Sequence, residues 1–147
     1  MSPSDMSLLF RTSRRIRREE LRLFLGELST RVMRGRALSC LISGDAELRR
    51  LNKQFRGKNS ATDVLSFPSR PSNGFAGDLA ISADRAKAQA AEHGHSIDDE
   101  LRILMLHGAL HLAGLDHESD SGEMARAEAR WRKRLGLSGG LIERAAS

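Results

Sequence analysis

Tyrosine is absent from the sequence, tryptophan occurs once, and aromatic residues make up only 4% of the chain. No aromatic-interleaved basic motif of the kind with which RNA-binding sheets stack bases is present. Cysteine is as rare: Cys40 stands alone, so no internal disulfide can form, and a reducing compartment, the cytoplasm, is the expected location. No apolar run approaches the roughly 18 residues of a membrane span, and Leu8 to Phe10 is too short for the apolar core of a secretory signal. No membrane partner is expected. Internal repeats and long low-complexity linkers are lacking too, and 147 residues suffice for one sizeable core. The chain therefore reads as a flexible N-terminal segment (1–13), one domain (14–137) and a C-terminal tail (138–147).

The formal net charge is +5, and its placement is uneven. Residues 1–36 hold nine arginines against Asp5, Glu19, Glu20 and Glu27, and a second basic cluster comprises Arg130, Arg132, Lys133 and Arg134. Such patches attract phosphate backbones without reading sequence, although a solvated arginine-rich face explains them equally well.

Hydrophobic periodicity predicts an α+β fold, a small mixed sheet packed against about five helices. Residues 14–34 place Leu21, Leu25, Leu28 and Val32 on one helical stripe. "ALSCLIS" (37–43) alternates as a half-buried strand. Asp45 is placed to cap a helix that ends at Gly57, and "DVLSF" (63–67) and "DLAIS" (78–82) are strands joined through Asn73-Gly74. An alanine-rich helix (83–93) follows. Ser96 and Asp99 then form a capping box for a helix whose stretch from Leu101 to Ala113 is apolar on all sides, as in a helix at the domain centre. A last helix spans about 121–135, with Asp120 and Glu123 as its capping pair.

The central helix carries "HGALHLAGLDH" (107–117). Residues four apart on a helix differ by about 40° in direction, so His107 and His111 project side by side. His117 would point away if the helix continued. Gly114 can end it in a left-handed turn that brings His117 back toward the other two. Three imidazoles with one open position are the donor set of a catalytic zinc site, whereas closed structural sites usually add cysteines. His93 and His95, flanking Gly94, read instead as surface residues near a helix end.

The spacing is that of the metzincin peptidases, which place a glutamate right after the first histidine as general base. Here that position is Gly108, so a peptidase ranks below a reaction carried by a metal and a cation. Asp116 and Glu118 are acidic alternatives without the usual placement. Asp63, Asp78 and Asp116 are candidates to orient a histidine from behind.

Three blocks, "LNKQFRGKNSATDVLSFP" (51–68), "GDLAIS" (77–82) and "HGALHLAGLDH", together resemble the YbeY family of bacterial endoribonucleases over roughly residues 14–135. Leu115 and Asn59 depart from the common pattern without touching the histidines. The resemblance implies one Zn2+ ion per chain on His107, His111 and His117, with Arg56 as the catalytic and RNA-binding arginine. It further implies single-strand-specific cleavage of ribosomal RNA in small-subunit rRNA 3′ end maturation and in ribosome quality control, with the ribosome or its small subunit as partner. Independently, Arg56 stands in the last turn of its helix, where a guanidinium can grip a phosphate at two points or simply complement the helix dipole. The rival readings are a metallopeptidase and a non-catalytic ribosome-assembly module whose metal only fixes the fold.

Overall fold

The structure is a computed structural model that describes residues 8–72, 74–116 and 120–137. Its elements in chain order are β1 (Leu8–Phe10), α1 (Arg18–Glu27, continuing as a π-helical turn over Leu28–Val32), β2 (Ala37–Ser43), α2 (Asp45–Arg56), β3 (Val64–Ser72), β4 (Phe75–Ser82), α3 (Ala83–His93), α4 (Ile97–Leu112) and α5 (Glu123–Leu135). The four strands form one mixed sheet in the order β1-β2-β4-β3, with β3 antiparallel to β4 and the other pairs parallel. The α+β expectation, a small mixed sheet against five helices, describes this architecture.

Strand alternation divides the sheet into two unlike faces. Leu38, Cys40, Ile42, Leu79 and Ile81 enter the main core with Leu21, Leu25 and Leu28 of the α1 segment and Leu101, Leu104 and Met105 of α4. The opposite face is smaller: Leu65 and Ala80 meet Leu48 and Leu51 of α2. α4 runs through the centre, buried from Leu101 to Leu110 except at Arg102. Burial pushes the Cys40 thiol up to about 12.

Residues 1–13 are not uniformly a flexible approach, because Leu8–Phe10 forms the edge strand β1, in register with Cys40–Ile42. Phe10 lies under the guanidinium groups of Arg18 and Arg22, 4.8 and 5.4 Å from the ring centroid, so part of the N-terminal arginine excess covers the sheet edge. The first helix begins at Arg18, four residues later than its periodicity suggests.

The start of α2 also differs. Asp45 is the first helical residue and does not act as the cap. Asp84, from the first turn of α3, accepts the Asp45 N–H through Oδ2 at 2.9 Å and the Arg14 Nε–H through Oδ1 at 2.9 Å. A capping carboxylate from a distant element ties α2, α3 and the segment before α1 together. At the start of α5, Asp120 accepts the Met124 and Gly122 N–H groups, and Glu123 accepts that of Ser121.

His95 corrects the expectation of a surface histidine. Its Nε2 lies 2.6 Å from Oε1 of Glu100, a fully buried carboxylate in the first turn of α4, so this pair belongs to the packing of α4 against the end of α3.

Two outcomes follow from these contacts. Asp84→Ala removes the cap of α2 and is expected to cost about 1 kcal/mol in denaturant unfolding at neutral pH. The backbone N–H of Asp45 and then Arg14 hold the Asp84 carboxyl below its usual range. The lowered folded value means that this contribution is present above the ordinary carboxylate range and fades as pH falls through the folded pKa, so the gap between wild type and variant should narrow in acid. Cys40 should ignore a thiol reagent at pH 8 in the native protein and react on unfolding; rapid native labelling would contradict its burial.

Candidate active site

α4 comes close to the sheet because residue 108 has no side chain. A Cβ on Gly108 would stand 2.7 Å from Cδ2 of Leu79 and 3.3 Å from both Ser66 Oγ and Val64 Cγ2. Such contacts would force the helix outward or the buried Leu79 aside. The Ser66 hydroxyl also donates to the Gly108 carbonyl at 3.2 Å. The glycine in place of a peptidase glutamate is thus a packing requirement: a side chain there would run into the sheet.

With α4 seated in this way, His107 and His111 open on one cleft of ≈ 580 Å³. Their ring centroids are 4.9 Å apart and the ring planes are inclined at 76°. The cleft is walled by Val64, Ser66 and Pro68 of the edge strand β3 and by Thr62 and Asp63 of the loop before it; Asp116 and Arg56 also line it. Arg56 comes from the last turn of α2, on the far side of β3 from α4. The structure therefore brings together three of the four sequence-selected residues: Arg56, His107 and His111.

The end of α4 follows the expected chemistry. Ala113 is the C-cap, and Gly114 takes φ +95°, which a side chain would disfavour. The Gly114 N–H reaches the His111 carbonyl and the Leu115 N–H reaches that of Leu110, the paired bonds of a Schellman ending. The chain thus turns at the expected place. His117 itself, like Glu118, lies outside the described residues.

His107 has a partner that the sequence reading did not select. Its Nδ1 stands 2.8 Å from Oε2 of Glu128, on α5, and both groups are buried. With Nδ1–H donated to that carboxylate, Nε2 becomes the ring nitrogen that carries a lone pair, the tautomer suited to a metal ligand. Of the three aspartates considered for such a role, Asp78 is on the opposite sheet face, paired with Ser39 of β2. Asp63 accepts from Gln89 Nε2 at 3.2 Å and from the Val64 N–H. Glu128 was nonetheless visible as an anomaly: it falls on the inward stripe of α5 with Met124 and Trp131, where an unpaired carboxylate would be costly.

Arg11, Arg14, Arg17, Arg22, Arg31, Arg50, Arg85 and Arg102 each contact a carboxylate, whereas Arg56, like Arg49 and Arg70, forms no ion pair among the described residues. Arg56 is exposed and lines the cleft, which it shares with the carboxylates of Asp63 and Asp116. In the second basic cluster, Arg134 and, from the α1 side, Arg31 lie over the Trp131 ring at 5.2 and 5.8 Å, so part of that charge is also engaged in packing.

A family model described as Endoribonuclease YbeY matches residues 10–136. The chain belongs to the YbeY endoribonuclease family. A relative named Endoribonuclease YbeY from Solibacter usitatus (strain Ellin6076) is 54% identical over 147 residues, covering 99% of each chain. Another of the same name, from Koribacter versatilis (strain Ellin345), is 58% identical over 104 residues, 71% of this chain and 68% of the relative. Among solved structures, a protein from Thermotoga maritima determined in solution superposes with a TM-score of 0.59 at 26% identity, covering 84% of this chain and 85% of the other. The region matched by the YbeY family model contains β3, β4, α4 and α5, so it includes Glu128 as well as the three blocks legible in the sequence.

The donor set suits a metal ion: imidazoles one helical turn apart, one backed by a buried carboxylate, in a cleft that Thr62, Asp63, Ser66 and Asp116 also line. Glu128→Gln keeps the size of the side chain but withdraws the charge behind His107. Its expected effect is a roughly 10- to 100-fold loss of zinc affinity in a competition titration, with near-native melting of the metal-free protein. Unchanged affinity would remove Glu128 from the site.

Proposed function

We propose that the chain is a zinc-dependent, single-strand-specific endoribonuclease that acts in the cytoplasm on ribosomal RNA, in small-subunit 3′ end maturation and ribosome quality control. The observation that carries the cleavage reading is that Arg56, without an ion pair among the described residues, lines one cleft with His107 and His111. Membership of the YbeY family supports RNA as the substrate, and resemblance to that family supports the ribosomal role.

His107 and His111, with His117, would hold one Zn2+ ion. When bound, the ion supplies Lewis acidity toward a phosphoryl oxygen. Arg56 binds a non-bridging phosphate oxygen and stabilises the charge that grows there as phosphorus passes through its five-coordinate transition state. The two N–H groups on one edge of a guanidinium match two oxygens of a phosphate, so the same contact orients the scissile group. Glu128 fixes the His107 ring by accepting its Nδ1–H. Thr62 and Ser66 give the wall facing α4 hydroxyl groups, in keeping with a polar strand as the occupant.

Arg56→Ala is expected to lower the cleavage rate of a single-stranded RNA by about 10²-fold, the order of loss when one donor to the developing transition-state charge is removed. The side chain is exposed and its helix already ends here, so circular dichroism should not change. Chelation should abolish cleavage and zinc should restore it. Full activity in the chelated protein, or in Arg56→Ala, overturns the reading. Cleavage of peptides but not RNA would favour a peptidase, and zinc-dependent folding without any cleavage a structural module.

A further inference from the structure

α2 covers only part of the sheet face opposite α4. Beside its last turn, Leu9, Leu41, Phe55 and Phe67 border an open hollow of ≈ 490 Å³ whose polar lining groups are Ser39 and Asp78. Strand register explains the gathering. Leu9 pairs with Leu41, Ser39 with Asp78, and Asp78 with Phe67, and directly paired residues share a face. Leu9 and Phe55 are 54% and 59% exposed, two of the three large apolar side chains left that open among the described residues.

The hollow has the chemistry of a base-recognition site. Phe55 and Phe67 meet edge to face, with centroids 5.3 Å apart and planes inclined at 66°, leaving ring surface toward solvent. The Ser39 hydroxyl donates to Oδ1 of Asp78 and holds the carboxylate at the polar end of the apolar bowl; Oδ2 accepts no other hydrogen bond among the described residues. An anionic acceptor beside flat apolar surface suits a ring that carries an amino group. One cation adjoins the hollow in sequence: Arg56 follows Phe55 in the last turn of α2. An acidic protein segment would also be drawn to Arg56, but it would meet Asp78 unfavourably, whereas a nucleotide brings a phosphate for Arg56 and a neutral amino donor for the carboxylate.

The hollow also adjoins the cleft. Phe55 and Arg56 are consecutive, one bordering the hollow and the other the cleft. Phe67 likewise follows Ser66 and precedes Pro68 on β3, with Ser66 and Pro68 on the cleft side. We propose that the hollow is a nucleobase site, taking one base of the single-stranded RNA whose phosphate is gripped by Arg56 and preferring bases with an exocyclic amino group. This rests on the reading of the cleft as an RNA-cleaving site. Stacking on Phe55 and Phe67 supplies affinity, and Asp78 favours cytosine, adenine or guanine over uracil, which presents a carbonyl oxygen where cytosine presents its amino group.

The test is binding of short, labelled oligocytidine and oligouridine to the full chain by fluorescence anisotropy, alongside the KM for cleavage. Phe55→Ala should weaken oligocytidine binding roughly 10-fold, the order of one lost base stack, and raise KM by a similar factor. Asp78→Asn should erase the preference for oligocytidine over oligouridine and keep the stacking contribution. Both side chains are exposed, and unchanged melting temperatures would show that the fold survives. Wild-type affinity in Phe55→Ala, or a base preference untouched in Asp78→Asn, overturns the proposal and leaves the hollow to a protein partner. Base-dependent binding that responds to both substitutions, in a chain that cleaves no RNA, would support the base site and sink the nuclease reading instead.

Discussion

The close seating of α4 on β3 and β4, permitted by the bare backbone of Gly108, is the constraint on which the site depends. Two imidazoles on one helix turn have a fixed relation to each other, but their relation to anything else is set by where the helix lies. Here a single missing Cβ lets α4 approach the edge strand until Ser66 bonds to its backbone. His107 and His111 then face the cleft whose other wall belongs to β3 and α2. A bulkier residue would widen that cleft, and the distance between the histidines and Arg56 would grow with it.

Burial sets the second condition. A histidine inside a packed helix must satisfy both ring nitrogens, and the low-dielectric surroundings that make an unpaired polar atom costly also make a paired one rigid. Glu128 answers one side of His107, and in doing so fixes which nitrogen keeps its lone pair. The same pairing of a buried glutamate with an imidazole occurs at the other end of α4, between Glu100 and His95, away from the cleft. Its position there indicates a packing role. What separates the two pairs is what the second ring nitrogen faces, which burial alone does not reveal.

Much of this was legible in the sequence because it is local. The i, i+4 spacing of His107 and His111, the Ser96 cap on the Asp99 N–H, and the turn at Gly114 depend on residues within a few positions of one another and appear in the structure. The reciprocal bond of a full capping box, from Asp99, does not form among the described residues. What was not legible depends on distant partners. β1 is three residues long and exists only because β2, some thirty residues on, offers it an edge. Asp84 rather than Asp45 caps α2 because the tertiary fold delivers a better-placed carboxylate. Gly108 read first as the loss of a catalytic base, since its meaning lies in the Leu79 side chain beneath it, a contact no spacing encodes. The inward carboxylate of Glu128 left a trace on its helix, but its partner 21 residues earlier did not.

The edge position of β3 joins these parts into one device. A strand in the middle of a sheet separates its two faces completely, because neighbours close both flanks. At an edge, a helix on one face can send a side chain toward the other, and α2 does so with Arg56 while Phe55, one residue earlier, stays behind. On the proposed reading, chemistry on the α4 side and recognition on the α2 side are held in register by a single peptide bond and not by the relative motion of two elements. An exposed strand edge is ordinarily a liability, open to pairing with another chain. In β3, Pro68 withholds an N–H and the loop before the strand forms part of the cleft. The edge thus resists strand addition while remaining open to a ligand that needs phosphate contacts on one face and an apolar surface on the other.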